Sequence, residues 1–223
     1  TRKESSAASD VYKRQNLIFD FDGTIADSKE CSIVATQKSF KERGLEEPTV
    51  NLIEYYMGIP IEKSFSLMSS VDLDDHQLEA LIKTFRQNYK EVESSYLKLY
   101  KHMTEQLQSL SKDKQLFVVS SKKTDVLIRN LEILDIDHLF TEVIGSDKVN
   151  HYKPSPDGIN YILNKYQLEN EETIYIGDAI FDMQMANSAK VASCAVTWGT
   201  HSIEELKSEN PTYIIHEVTE LNF

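Results

Sequence analysis

An α/β fold built on a doubly wound parallel sheet, with a block of helices inserted after the first strand, is predicted by three features of the sequence. Short apolar runs alternate with amphipathic stretches over most of its 223 residues. Residues 28–98 interrupt that rhythm with helix patterns and no strand. The chain has only seven glycines, and most stand directly after an apolar run, where a chain must turn sharply.

The first apolar run lies in Asn16-Leu17-Ile18-Phe19-Asp20-Phe21-Asp22-Gly23, with residues 17–21 reading as a strand. Residues 115–119, 142–144, 173–176 and 193–197 read as further strands, because a strand covered on both faces is apolar throughout. Helix periodicity fills the gaps: Met103, Leu107 and Leu110; Leu127, Ile128, Leu131 and Leu134; Ile159, Ile162, Leu163 and Tyr166. Ser155 followed by Pro156 predicts an N-cap serine and a first-turn proline. Within 28–98, Leu78, Leu81, Ile82, Phe85, Tyr89 and Val92 share one helical stripe, and Asp74 stands three residues before Gln77 as a cap. Strand followed by helix, repeated, is the Rossmann-like arrangement. The predicted organisation is a core of residues 16–27 and 99–223, a helical insert of 28–98, and a polar leader of 1–15 expected to be mobile.

Composition narrows the function. A formal net charge of −12 argues against general affinity for nucleic-acid backbone, which needs a basic face. No apolar run approaches the roughly 20 residues of a membrane span, so no membrane partner is expected. Cys31 and Cys194 stand alone, with neither disulfide nor metal-type spacing, and read as small buried apolar residues of a reducing cytoplasm. The histidines are scattered, so no histidine metal site is expected.

The chemistry gathers at the strand ends, because loops at the carboxyl ends of an open parallel sheet build its ligand site. The first strand ends in Asp20 and Asp22, the second in Ser120-Ser121-Lys122; Lys153 follows the third, and the fourth ends in Gly177-Asp178 with Asp182 just beyond. Aspartates two positions apart on a strand point to the same side and repel. A hard divalent cation resolves that conflict, and Mg²⁺ takes oxygen ligands while keeping waters that substrate oxygens can replace. Lys153 adds positive charge in an otherwise acidic protein, a combination suited to a phosphate group.

Four segments carry a family resemblance: DFDGT at 20–24, VVSSK at 118–122, KPSPD at 153–157 and GDAIFD at 177–182. In this order and spacing they resemble the motifs of haloacid-dehalogenase-like phosphohydrolases, over residues 16–221. AVTWG at 195–199, Glu204-Glu205-Leu206 and PTYII at 211–215 are similar to the tail of phosphoglycolate and pyrophosphate phosphatases. The resemblance implies Asp20 as nucleophile and Asp22 as general acid and base. It implies Mg²⁺ held by Asp20, the backbone carbonyl of Asp22 and Asp178, with Asp182 in support, and a phosphoryl group gripped by Thr24, Ser120, Ser121 and Lys153. It makes the insert a cap, in which Gly58, within 56–60, is a candidate substrate contact. Arg86 is another, a plain surface arginine being the alternative. The implied reaction is Mg²⁺-dependent hydrolysis of a small phosphorylated metabolite. The alternatives are a sugar-phosphate mutase, a pyrophosphatase and an inactive binding module of the same fold. Lys101, His102 and Lys190 stand where such proteins usually carry glycine or proline, and are expected to alter turns rather than chemistry.

Overall fold

A computed structural model describes residues 14–57 and 59–223. Residues 1–13 of the expected leader and the candidate contact Gly58 therefore lie outside the described residues. The chain divides into two compact units, one ending at Ala26 and resuming over Leu99–Phe223, the other spanning Asp27–Lys98. Gln15, counted with the leader in the sequence reading, directly precedes β1 and is tied by its backbone to the neighbouring segments. Its N–H donates to Glu172 O at 2.9 Å, and its carbonyl accepts from Gln115 N–H at 2.9 Å.

The first unit opens with β1 (Asn16–Phe19); β2 (Ala26–Asp27) and β3 (Lys98–Leu99), which pair with each other, fall where the chain passes from one unit to the other. There follow β4 (Gln115–Val119), β5 (Glu142–Ile144), β6 (Thr173–Gly177), β7 (Ala192–Val196) and β8 (Tyr213–Ile215). Among the described residues these make a six-stranded sheet in the order β5-β4-β1-β6-β7-β8. Every pairing in it is parallel. The chain winds outward from β1 to β5, returns beside β1 as β6, and winds outward the other way. Its direction reverses at β1, and doubly wound sheets bind ligands in the crevice beyond the strand ends at such a reversal.

Helices α5 (Met103–Leu110), α6 (Thr124–Ile133), α7 (Asp157–Tyr166), α8 (Ile180–Ala189) and α9 (Ile203–Ser208) connect the strands. Ile18, Phe117 and Tyr175 pack with Ile159, Ile162 and Leu163 of α7 and with Met185 and Ala186 of α8. Each large side chain so buried is worth roughly 1.5–3 kcal/mol. Their strand neighbours Leu17 and Phe19 are fully buried as well, so both sheet faces are covered. Cys31 and Cys194 are buried and in no disulfide among the described residues.

Two local expectations change and one holds. β1 stops at Phe19, two residues early, because Phe21 O turns back to accept from the N–H groups of Ile25 and Ala26 at 3.0 and 2.9 Å. Ser155 does not cap α7; its Oγ donates to Asp157 Oδ1 at 2.7 Å, and Pro156 occupies the capping position. His102 and Lys190 do stand in turns, both left-handed, with φ of 67° and 59°. Among the described residues no helix is long and apolar enough to cross a membrane.

The second unit is helical: α1 (Lys29–Glu42), α2 (Val50–Tyr55), α3 (Ile61–Met68) and α4 (Asp75–Tyr96). Asp74 and Gln77 form the expected capping box, with Gln77 N–H donating to Asp74 Oδ1 at 2.8 Å and Asp74 N–H donating to Gln77 Oε1 at 3.0 Å. Phe40, Phe65, Phe85 and Tyr89 form an aromatic chain with successive centroids 5.6, 5.0 and 5.7 Å apart. The buried stripe of α4 also contains Asn88 and Glu93. Asn88 Nδ2 donates to Ser39 Oγ at 3.0 Å, tying α4 to α1.

Candidate active site

The site assembles at the carboxyl ends of β1, β4 and β6. Asp20 leaves β1 with its N–H donating to Ile176 O at 2.9 Å, so it sits at the last rung of the ladder. Ser120 leaves β4 in the same way, donating to Ile144 O at 3.0 Å. Asp178 follows β6, and Asp182 lies in the first turn of α8, where its Oδ2 accepts from Ala179 N–H at 3.0 Å. Lys153 comes from the segment between β5 and α7, with a cis peptide to Pro154.

Lys153 Nζ is placed between two carboxylates, 2.7 Å from Asp20 Oδ1 and 2.7 Å from Asp182 Oδ1. Tyr175 lies alongside, its ring centroid 5.4 Å from the ammonium. The Tyr175 hydroxyl donates to Val119 O at 2.9 Å and approaches Asp182 Oδ1 at 3.4 Å. One phenol thus joins the end of β4 to the acid that pairs with Lys153. Asp178 accepts from Thr24 Oγ1 at 2.8 Å and from Thr200 N–H at 2.7 Å, one donor on each carboxylate oxygen. Thr24, expected to bind phosphate, thus directs its hydroxyl at Asp178, and its carbonyl accepts from Trp198 Nε1 at 3.0 Å.

Asp178 is also enclosed by backbone. A Cβ on Gly23 would fall 2.2 Å from Asp178 Oδ2, and one on Gly199 would fall 2.2 Å from Asp178 Cβ. Gly23 has φ +78°, a conformation that other residues adopt with strain. Two turns close on this carboxylate only because neither carries a side chain.

The charges are unbalanced. Asp20, Asp178 and Asp182 are buried, and an oxygen from each lies within 4.8 Å of the others. Burial raises the Asp20 carboxyl well above the usual range; Lys153 opposes this, while Asp182 and Asp178 add to it. Asp178 is raised to about 6, by burial first and by Asp182 second, against the pull of its Thr200 and Thr24 donors. Burial works against the charge of Lys153, but the two facing carboxylates outweigh it and hold the ammonium above its ordinary range. Asp20 Oδ1 is buried against the Lys153 ammonium. Three buried carboxylates, each offering hard oxygen ligands and together outnumbering the one ammonium between them, fit a divalent cation such as Mg²⁺.

Asp22 goes elsewhere. Its Oδ1 meets Lys122 Nζ at 2.8 Å, nearer solvent. The structure brings Asp20, Asp22, Thr24, Ser120, Lys153, Asp178 and Asp182 to these strand ends, with Ser121 half-buried beside Ser120. Arg86 lies in the helical unit, its guanidinium 2.7 Å from Glu62 Oε1. Sequence reading missed the roles of Tyr175 and Thr200 and the Lys122 pairing. The one signal was a tyrosine in an otherwise aliphatic strand, residues 173–176.

Comparison with known proteins adds a consistent result. The profile of the haloacid dehalogenase-like hydrolase family matches residues 17–196. A phosphoglycolate phosphatase of Aquifex aeolicus is 30% identical over 92% of this chain and 93% of its own. The pyrophosphatase PpaX of Oceanobacillus iheyensis is 26% identical over 93% of this chain and 94% of its own. A haloacid dehalogenase-like family hydrolase of Streptococcus pneumoniae superposes with a TM-score of 0.84 at 30% identity, over 94% of this chain and 97% of that one.

Proposed function

The chain belongs to the haloacid dehalogenase-like hydrolase family and is an enzyme of phosphatase type; we propose that it acts on a small phosphorylated metabolite, hydrolysing a phosphomonoester through a phosphoenzyme on Asp20. The observation that carries the proposal is the buried group of Asp20, Lys153, Asp178 and Asp182 at the reversal point of the sheet.

In the proposed reaction, Lys153 and Ser120 hold the phosphoryl oxygens, with Ser121 beside them. An Asp20 oxygen attacks phosphorus in line, and the bond from phosphorus to the leaving oxygen breaks. Asp22 gives its proton to that oxygen as it departs. A water then attacks the phosphorus of the aspartyl phosphate, its proton passes to Asp22, and the bond from phosphorus to Asp20 breaks, restoring both side chains. The two neighbouring aspartates divide the labour: the deeper one bonds to phosphorus, and the shallower one handles protons. Tyr175 and Thr24 touch no reacting atom in this scheme and position Asp182 and Asp178.

Mg²⁺ would be held by Asp20, the carbonyl of Asp22 and Asp178, with Asp182 in support. When bound it supplies positive charge that offsets the clustered carboxylates and the incoming phosphate. A second reading, hydrolysis of a phosphoanhydride, is favoured by the pyrophosphatase relative, which aligns over 93% of this chain. A phosphate-release screen over phosphoglycolate, pyrophosphate, nucleotides and sugar phosphates, with and without Mg²⁺, tests both. Asp20→Asn and Asp22→Asn should each abolish turnover while the fold persists. Undiminished release by either variant would remove that residue from the mechanism.

A further inference from the structure

A second ammonium stands at the site, and the reaction above leaves it without a task. Lys122 Nζ lies 2.8 Å from Asp22 Oδ1 and 5.9 Å from the centroid of the Phe21 ring, so a charge and an aromatic face both hold it. Its main chain is fixed on both sides. The Lys122 N–H donates to Ser120 Oγ at 3.3 Å, and its carbonyl accepts from Ser146 N–H at 2.8 Å.

The two lysines differ in depth. The side chains of Lys122 and Asp22 are 15% and 19% exposed, against 5% and 6% for Lys153 and Asp20. Lys153 is therefore enclosed with the nucleophile, while Lys122 accompanies the proton donor where solvent reaches. On a chain of net charge −12, a cation anchored at that point is distinctive.

Resting on the phosphatase reading, the geometry points to Lys122 as a specificity-determining residue that selects substrates whose leaving group carries its own anion beside the scissile oxygen. To protonate the leaving oxygen, Asp22 must come within hydrogen-bond reach of it. Lys122 is one hydrogen-bond length beyond Asp22. A carboxylate or phosphate one or two covalent bonds past the leaving oxygen then falls within reach of the same ammonium, whose three donors can serve it and Asp22 together. A neutral leaving group offers Lys122 no charge to pair with. The substrate class is thus a phosphate ester or anhydride with a short, anionic leaving group. Carboxylate and phosphate are both met by a compact ammonium.

The test is steady-state kinetics of the full chain with Mg²⁺ on two matched pairs: 2-phosphoglycolate against its carboxamide, and pyrophosphate against methyl phosphate. The quantity read is the ratio of kcat/KM within a pair: in the first pair the leaving oxygens are of similar basicity, so an effect of a variant on Asp22 cancels, and in the second, where they are not, the charge-keeping Lys122→Arg serves as the control. The wild type should favour the anionic member of at least one pair by about 10- to 100-fold, as expected for a hydrogen bond to a charged group. Lys122→Gln should bring that ratio to within about threefold of one, and Lys122→Arg should hold it within about threefold of the wild type. Lys122→Met, of similar length and no charge, is the second variant should the glutamine form not fold. The pair that collapses identifies the anion. Ratios near one in both wild-type pairs, or a ratio that survives loss of the charge, overturn the inference. Release of phosphate from neither pair nor from an aryl phosphate overturns the phosphatase reading as well, so the two failures are distinguishable.

Discussion

Lys153→Met isolates the compensating charge of the site. Methionine keeps the unbranched stem and so leaves little cavity, but it removes the ammonium that stands 2.7 Å from both Asp20 and Asp182. Breaking a buried ion pair by deleting one partner costs about 3–5 kcal/mol, because the other charge stays buried without compensation. Here two carboxylates lose the same partner, so the upper half of that range applies where both are ionised. For a chain of this size the shift is about 2–4 °C in Tm for each kcal/mol, or roughly 8–20 °C in total. The sign of the pH dependence follows from proton binding. With the ammonium gone, the folded-state pKa of Asp20, already raised by burial, moves further above the unfolded value, so the folded protein binds more protons than the unfolded one. Stability then falls as pH rises through that window. The deficit against the wild type should be larger at about pH 8 than at about pH 5. Thermal unfolding followed by far-UV circular dichroism, with chelator present, measures it. A Tm within about 2 °C of the wild type at about pH 8, or a deficit that does not change with pH, would refute the assignment of Lys153 as the balancing charge.

Other consequences are equally measurable. Gly199→Ala sets a Cβ 2.2 Å from Asp178 Cβ, and should lower Mg²⁺ affinity in a calorimetric titration by at least about tenfold. Gly44→Ala, with φ +70° and nothing within 4 Å, should cost about 1–2 kcal/mol in denaturant unfolding and leave phosphate release unchanged. Tyr175→Phe keeps the ring beside Lys153 but deprives Val119 O and Asp182 of a donor. It should destabilise by about 1–3 kcal/mol in the same assay. Asp178, raised to about 6 when metal-free, binds more protons folded than unfolded between about pH 4 and 6. Stability without metal should therefore fall by roughly 3 kcal/mol as pH rises through that window, and added Mg²⁺ should raise Tm more at about pH 8 than at about pH 5.

Much of the core was legible because its signals are local. Apolar runs at 115–119 and 142–144 became β4 and β5 with the same bounds, and the Asp74 and Gln77 cap needs only its three-residue spacing. β8 went unread because three residues after a proline do not establish a period. The early end of β1 depends on Phe21 O turning back to Ile25 and Ala26, a choice made by the turn and not by strand propensity. At the site, residue types at strand ends pointed to Asp20, Lys153, Asp178 and Asp182. What escaped was pairing across long sequence separation. Nothing in residues 20–24 shows that Thr24 will meet Asp178, or that Asp22 will face Lys122 while Asp20 faces Lys153. The glycine pattern predicted turns, but not that Gly23 and Gly199 would close on one carboxylate.

The strand order also governs how the protein behaves beside copies of itself. Its two outermost strands, β5 and β8, are three residues each, whereas the flanked strands run to four or five. Glu142 on β5 is engaged by Lys165 and by Tyr166, and Tyr213 on β8 packs its ring 5.9 Å from that of Phe223. An open border this brief, with charge on one side and an aromatic contact on the other, presents few unpaired amides to a foreign strand. The sheet is protected from edge-to-edge aggregation by the shortness of its margins.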